Sequence, residues 1–405
     1  MSRGSSGDGA GMERVEAVGI EGRRGQSGAF AGEPRRWRAL AALLAGGIMG
    51  PIDASIVNIN LPVIAADLGV TPDRVGWVSM AYLLVLGTLL LPFARLGDML
   101  GLKRVYLAGL LVFVVTSATC AMATGLGTLV TFRALQALGA GLTMAMAPAI
   151  ITALFPAQER GRALGLNGMT VALGLSLGPT LGGWLADSFG WRSIFLVNVP
   201  VGLVAYLLCR RLLPPFRPRE SSRSFDTWGT LLACLSLTCL LVAATRGPAS
   251  GHAPGYIALG ALGVALVYLF VRVERRSSRP MLDLSLFANS TFSAGIGVAW
   301  LNFVTQYVIV FVTPFYLQRV AGLRPGHAGS IMTAFPLTVL VVAPLAGALS
   351  DRVGHRWLAL AGLTLCGAAA ASMVVLGPSG RAGAVVWRLS LFGLGTGLFQ
   401  SPTPS

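Results

Sequence analysis

Twelve long apolar runs, separated by short turns that collect the basic residues, constrain this chain more than any other feature. About 20 consecutive apolar residues cross the hydrocarbon of a bilayer as a helix. The runs fall near 38–61, 75–96, 105–124, 127–151, 162–186, 193–213, 228–246, 255–273, 291–316, 327–349, 357–376 and 383–401. Backbone cannot turn inside hydrocarbon without losing its hydrogen bonds, so each charged turn marks a membrane surface. The expected fold is therefore an all-α polytopic membrane protein, with the lipid bilayer as its solvent. Charged residues are only 12% of the chain, against about 25% in an ordinary soluble protein. A net charge of +15 attracts nucleic acid only when it is clustered on a folded polar face. Here it sits in short loops, and no nucleic-acid partner is expected.

Orientation follows from the basic residues. With the N-terminus cytoplasmic, most of the 31 Lys and Arg fall in the tail and the cytoplasmic turns, and Arg133 lies within a span. Residues 1–36 are rich in Gly, Ser, Arg and Glu with no apolar core, which reads as a disordered cytoplasmic tail and not a signal peptide. The five cysteines lie in or beside apolar runs without metal-ligand partners, so neither a disulfide framework nor a metal site is expected. No phosphate-binding loop is present and the three histidines are loop residues. Hydrolytic or nucleotide-driven chemistry has no support, no cofactor is expected, and the chain is not read as an enzyme.

One charged turn occurs twice. Pro92–Gly109 carries Asp98, Gly101, Lys103 and Arg104, while Pro344–Gly362 carries Gly347, Asp351, Arg352, Gly354 and Arg356. Asp to Gly is three residues in both copies, and Asp to the later Ala-Gly glycine is eleven (Gly109, Gly362). The fourth and twelfth runs also match, with Leu138-Gly-Ala-Gly-Leu after Arg133 and Leu394-Gly-Thr-Gly-Leu after Arg388. Offsets this long point to a duplicated multi-helix half. The expected division is a tail (1–36), a six-span bundle (37–213), a linker with two inserted spans (214–290) and a second bundle of four spans (291–405). Adding the same offset to the fifth and sixth spans places two more near residue 470, beyond Ser405, so twelve of fourteen spans are expected here.

Within the spans, Asp53 is the acid that lies deepest. A carboxylate at that depth is expensive when charged, and it can exchange protons as its exposure changes. Arg133 in the fourth span needs a partner, and Asp53 is the obvious one; Gln136 lies one turn on. A pair that tightens and loosens with protonation couples a proton to helix movement. The plainer alternatives are a polar cluster of Asp53 with Asn58 and Asn60, or a static ion pair. The fifth span carries Gly165, Gly174, Gly178, Pro179, Gly182 and Gly183, small residues that let another helix approach closely. Asn302 and Gln306, at i and i+4 beside Tyr307, are candidates to line a cavity with Asn58 and Gln136, or to make a polar helix contact.

These motifs together resemble the major facilitator superfamily, and within it the fourteen-span drug:proton antiporters of the EmrB/QacA type. The Asp98 and Asp351 turns look like the superfamily's loop motif G-x-L-a-D-r-x-G-r-R/K, with Ala94 where the opening glycine is usual. Arg133–Gly141 resembles R-x-x-Q-G-x-G, with Ala137 for a glycine. The fifth span matches G-x8-G-x3-G-P-x2-G-G throughout, Asp53–Pro62 is similar to D-x-T-I-V-N with Ser55 for threonine, and Gly190–Pro200 is similar to a signature of the fourteen-span group. The resemblance implies a major facilitator fold in which a cavity between two six-span bundles opens alternately to each side of the plasma (inner) membrane. It implies protons and a small amphipathic substrate as partners, with export and antibiotic resistance as the activity, in a monomer. Asp53 and Arg133 then handle protons, the fifth-span glycines form the seam between bundles, and the two turns lock a cytoplasmic gate, each pressing on the opposite half. A transporter of one specific metabolite, or an inactive truncated product, are the alternatives.

Overall fold

Helices begin and end where proline, glycine or charge interrupts the apolar runs. The computed structural model describes residues 33–216, 227–246, 253–276, 288–353, 355–376 and 382–400, and the regular elements among them are all helical. Helix α1 (Glu33–Gly47) continues through Ile48 into α2 (Met49–Asp67), forming the first crossing. A single turn, α3 (Pro72–Val75), leads into α4 (Trp77–Leu100), followed by α5 (Leu102–Ala121), α6 (Leu126–Leu154) and α7 (Ala157–Phe189). The short α8 (Ser193–Leu196) and α9 (Asn198–Leu212) make the sixth crossing. Helices α10 (Thr227–Arg246) and α11 (Ala253–Arg276) form a pair, and α12 (Ser290–Phe315) ends in a π-turn over Tyr316–Val320. Then come α13 (Pro325–Met332), α14 (Ala334–Val353), α15 (His355–Val374) and α16 (Ala382–Gln400). Eleven helical stretches among the described residues are long and apolar enough to cross a membrane, and Gly229–Ala243 adds a shorter apolar helix.

Two boundaries differ from the sequence expectation. The expected tail lies outside the described residues as far as residue 32, but residues 33–36 belong to α1. Arg36 ion-pairs with Glu159 at 2.8 Å and Trp37 packs edge-on against Phe155, ring centroids 4.9 Å apart, so the first turn is held by the start of α7. Helix α7 itself starts at Ala157 instead of near 162. Gln158-Glu159-Arg160 is too polar to register as a span, yet Pro156 in extended conformation is a ready-made helix start.

The duplication is visible as main-chain contact. A Cβ added at Gly109 would meet Gly139 O at 2.9 Å, and one at Gly362 would meet Gly395 O at 2.6 Å. The third and fourth spans of the first half and their counterparts in the second thus cross at paired glycines, where any side chain would force the helices apart. Two clusters of buried side chains fill the first half. One gathers around Leu40, Tyr106, Phe113 and Ile150, the other around Ile56, Leu61, Trp191 and Phe195. A third, around Leu317, Phe335, Leu389 and Phe392, fills the second half and takes in Ile59 from α2. The α10–α11 pair closes on itself, Gly263 admitting Leu240, and reaches the first half where the Cys234 thiol donates to Thr88 O.

Candidate functional site

The centre of the first half is a polar network in an apolar surround. Asp53, at 0% exposure, faces Arg133, at 1%. Arg133 Nη1 donates to Asp53 Oδ2 at 2.5 Å and to Gln136 Oε1 at 2.6 Å, while its Nε reaches Val78 O at 3.3 Å. The other carboxylate oxygen, Oδ1, accepts Gln136 Nε2 at 3.0 Å and Asn198 Nδ2 at 2.9 Å. Both amides also touch Ser117 Oγ, at 2.6 and 3.2 Å. The Arg133 guanidinium lies 4.3 Å from the centre of the Tyr82 ring, a cation–π contact. Spans one, two, three, four and six all contribute. A buried charge is tolerable when it is paired and its remaining hydrogen-bonding capacity is used, and this carboxylate accepts three hydrogen bonds.

Among the described residues, the second half shows no such pair at the matching position. Arg388 directs Nε to Ser372 O at 3.0 Å and Nη1 to Ala384 O at 2.7 Å, and lies over the Trp387 ring. Its described partners are backbone carbonyls. The duplication thus placed an arginine in each half, and the structure pairs the one in the first with an acid.

A cavity of about 380 Å³ lies between the halves, lined by residues of α2, α4, α7, α12, α13 and α14. Asn58, Gln306 and Tyr307 line it. Gln136 and Asn302, expected there too, do not: Gln136 is drawn into the Asp53 network, and Asn302 Nδ2 contacts Cys366 Sγ at 3.6 Å. The remaining lining is mainly apolar and includes Leu83, Leu175, Phe303, Met332 and Phe335.

The glycine series of the fifth span divides between two partners. Gly174, Gly178 and Gly182 face span one, where added Cβ atoms would meet Pro51 Cβ at 2.9 Å, Ser55 Cβ at 2.7 Å and Ile56 Cα at 3.0 Å. That contact lies within the first half, not between bundles. Asn60 Nδ2 bridges it to Gly182 O at 3.0 Å. Gly183 and the Pro179 carbonyl instead abut Pro325 and Gly329 of α13, which is the inter-bundle contact. Gly165 meets nothing within 4 Å. Around this contact Thr180 and Thr333 hydroxyls meet at 2.7 Å, Asp187 Oδ2 accepts Gly326 N–H at 2.8 Å, and Gln318 Nε2 donates to Ile59 O at 2.7 Å.

The Asp98 turn was expected to press on the opposite half; the contacts described for its Lys103 and Gly101 are with the end of α9 and the residues just after it. Lys103 Nζ donates to Arg210 O at 2.8 Å and Leu213 O at 2.5 Å, carbonyls at the end of α9 that have no partner within their helix. Gly101 holds φ +97°, and a Cβ there would meet Phe216 O at 2.8 Å. Asp98 is half-buried and Arg104 exposed. In the second copy Gly347 is half-buried on α14 and Arg356 exposed at the start of α15, whereas Gly354 and the side chains of Asp351 and Arg352 lie outside the described residues.

Sequence reasoning named Asn198 only as part of a signature, and passed over Ser117 and Tyr82. The signal available was a lone amide in an apolar run, since Asn198 opens α9. The same signature supplies Trp191 and Arg192, which bind Asp67 at the end of α2 at 2.8 and 3.1 Å. It therefore ties span six to span one at two depths.

A membrane-spanning helical protein with a duplicated half, a buried charge pair and a cavity between the halves is built as a secondary transporter. Residues 43–405 match the Major Facilitator Superfamily, and the chain belongs to that family. It is 36% identical over 373 residues to the riboflavin transporter RibZ of Clostridioides difficile, covering 92% of this chain and 80% of that one. It is likewise 36% identical over 334 residues to the multidrug resistance protein Stp of Mycobacterium tuberculosis, covering 80% of this chain and 62% of that relative. Among solved structures, a bacterial homologue of the human lysosomal transporter Spinster, crystallised inward-facing and unoccupied, superposes with TM-score 0.61 at 18% identity. The overlap covers 92% of this chain and 74% of that one, and at that identity it speaks to the fold alone.

Proposed function

We propose that this transporter is a proton-coupled exporter of the fourteen-span drug:proton antiporter type. It moves amphipathic drugs or metabolites out across the plasma (inner) membrane by alternating access, with its N-terminus in the cytoplasm. The bundles are 37–213 and 291–405, with 214–290 between them. The observation that carries this reading is the Asp53–Arg133 pair, sealed from solvent at the junction of five spans and one helix away from the cavity. Protonation of Asp53 removes its charge, releases Arg133 and favours a different packing of span one, which is the two-state element that coupling requires. One charge moving down 100 mV supplies about 2.3 kcal/mol, enough for roughly a fortyfold concentration ratio. Asn58, Gln306 and Tyr307 form the substrate cavity, Pro179 and Gly183 the seam that separates when the halves part, and the Asp98 and Asp351 turns the cytoplasmic gates.

The test is export driven by an imposed pH gradient in proteoliposomes, comparing the full chain with Asp53→Asn. The variant should lose proton-driven movement while retaining downhill exchange. Proton-dependent export that survives in Asp53→Asn refutes the coupling role. A second reading, transport of one specific metabolite, is favoured by the RibZ relative, named for riboflavin. A substrate panel in the same vesicles separates a broad exporter from a single-metabolite carrier.

A further inference from the structure

Span one presents its two faces to different chemistry. Ala54, Ser55, Asn58 and Ile59 line the cavity. At about 100° per residue these four positions share one side of the helix, and Asp53 points roughly the opposite way. The carboxylate is also fully engaged there, Oδ2 with Arg133 and Oδ1 with Gln136 and Asn198. The other ionisable side chains around it are Tyr82 and Cys120, and both are buried. None of these groups lines the cavity.

Among the described residues, the cavity wall carries no charged side chain. Its polar members are Ser55, Asn58, Gln306 and Tyr307. Ser55 Oγ donates to the Pro51 and Ile52 carbonyls, and Asn58 Oδ1 accepts Ser79. Gln306 Oε1 and the Tyr307 hydroxyl, adjacent on α12, are buried with no hydrogen-bond partner among the described residues. Polar atoms in that condition call for a ligand or water that satisfies them. A cation entering this space would find aromatic faces but no carboxylate, and an anion would find no guanidinium, since each partner of the Asp53–Arg133 pair already neutralises the other.

We infer that the cavity takes an uncharged, largely apolar ligand with hydrogen-bonding groups along the edge that meets Gln306 and Tyr307, and that this ligand does not contact Asp53. This rests on reading the cavity as the substrate site. Its consequence is that substrate and proton do not compete for one carboxylate. Coupling between them passes through the position of span one, which carries both faces.

The test uses two tricyclic fluorophores of matched size. Acridone is uncharged and has an N–H donor and a carbonyl acceptor, while N-methylacridinium is a permanent cation with neither. Binding to the full chain in nanodiscs is measured at pH 6 and pH 8. Acridone should bind at least about tenfold more tightly than the cation, and the ratio of the two affinities should change less than about twofold between the two pH values, because the position of span one acts on both probes alike and only a facing carboxylate would favour the cation on deprotonation. Gln306→Ala should weaken acridone binding about tenfold by removing a buried partner. Equal or tighter binding of the cation, a ratio that shifts toward the cation at pH 8, or binding of neither probe overturns the inference. Should acridone bind as described while vesicles show no proton-driven export, the exporter reading fails and the ligand class stands. Proton-driven export of N-methylacridinium gives the reverse.

Discussion

Replacing Gly178 with alanine tests how tightly spans one and five are built together. The new Cβ would fall on Ser55 Oγ and lie 2.7 Å from Ser55 Cβ and 3.1 Å from Ile52 O. Carbon atoms rest about 3.5–4.0 Å apart, so the helices must separate by about 1 Å. That movement stretches the Asn60–Gly182 O hydrogen bond, now 3.0 Å, beyond useful length. Overpacking of this kind costs about 1–3 kcal/mol and the lost bond about 1 kcal/mol, giving a destabilisation of about 2–4 kcal/mol. The matched control is Gly165→Ala on the same helix, where nothing lies within 4 Å of the added methyl. Thermal melting of the full chain in detergent, together with initial rates in vesicles, should show a clear loss for Gly178→Ala and none for Gly165→Ala. Combining Gly178→Ala with Ser55→Gly returns the missing volume to the other helix and should recover most of the melting temperature. If Gly165→Ala is as damaging as Gly178→Ala, or Ser55→Gly makes the double variant worse, the close-packing account of this motif is wrong.

Three further outcomes follow from the geometry. Asp53→Asn leaves a buried guanidinium without its counter-ion and should destabilise the protein by about 3–5 kcal/mol, whereas Asp53→Asn with Arg133→Gln should cost less than the two single changes added together; strict additivity in melting experiments would show that the pair is not coupled. Asp187→Ala releases the Gly326 N–H at the start of α13, so a cysteine placed at Thr180 in a background without the five native cysteines should react several-fold faster with a polar thiol reagent; an unchanged rate argues against a latch at this point. Exchange of a proton for an uncharged substrate moves net charge, so a potassium diffusion potential set with valinomycin should drive transport without a pH gradient; indifference to the potential contradicts that exchange.

The sequence carried the crossings well because hydrocarbon length and backbone hydrogen bonding leave few alternatives for long apolar runs. The Asp53–Arg133 contact was readable because an acid deep within the spans has few other partners, and Arg133 was the obvious one. Contacts that depend on which face of an apolar helix is turned where were not readable. Gln136 and Asn302 sit on helices apolar all round, and no periodicity marks the side facing the cavity. Asn302 and Gln306, though a turn apart, part company because Cys366 of the neighbouring helix takes the first. Asn198 was legible only as part of a signature and not as a partner of Asp53, because its meaning comes from an acid 145 residues earlier in the chain. The fifth-span motif was legible as close packing, but its division between span one and α13 depends on the relative rotation of three helices. Lys103 illustrates the same limit at the surface, where its partners are main-chain carbonyls that no residue-type pattern can announce.

Four of the contacts that join the two halves use main chain on one side. Gln318 reaches the carbonyl of Ile59, Asp187 the amide of Gly326, and Gly183 and Gly329 lie against the backbone of Pro325 and Pro179. On one side of each of these contacts the identity of the amino acid matters little. Closure of the protein is therefore insulated from changes in the side chains that line its cavity. A lineage carrying this design can drift from one cargo to another by ordinary point substitutions and keep a working shutter throughout.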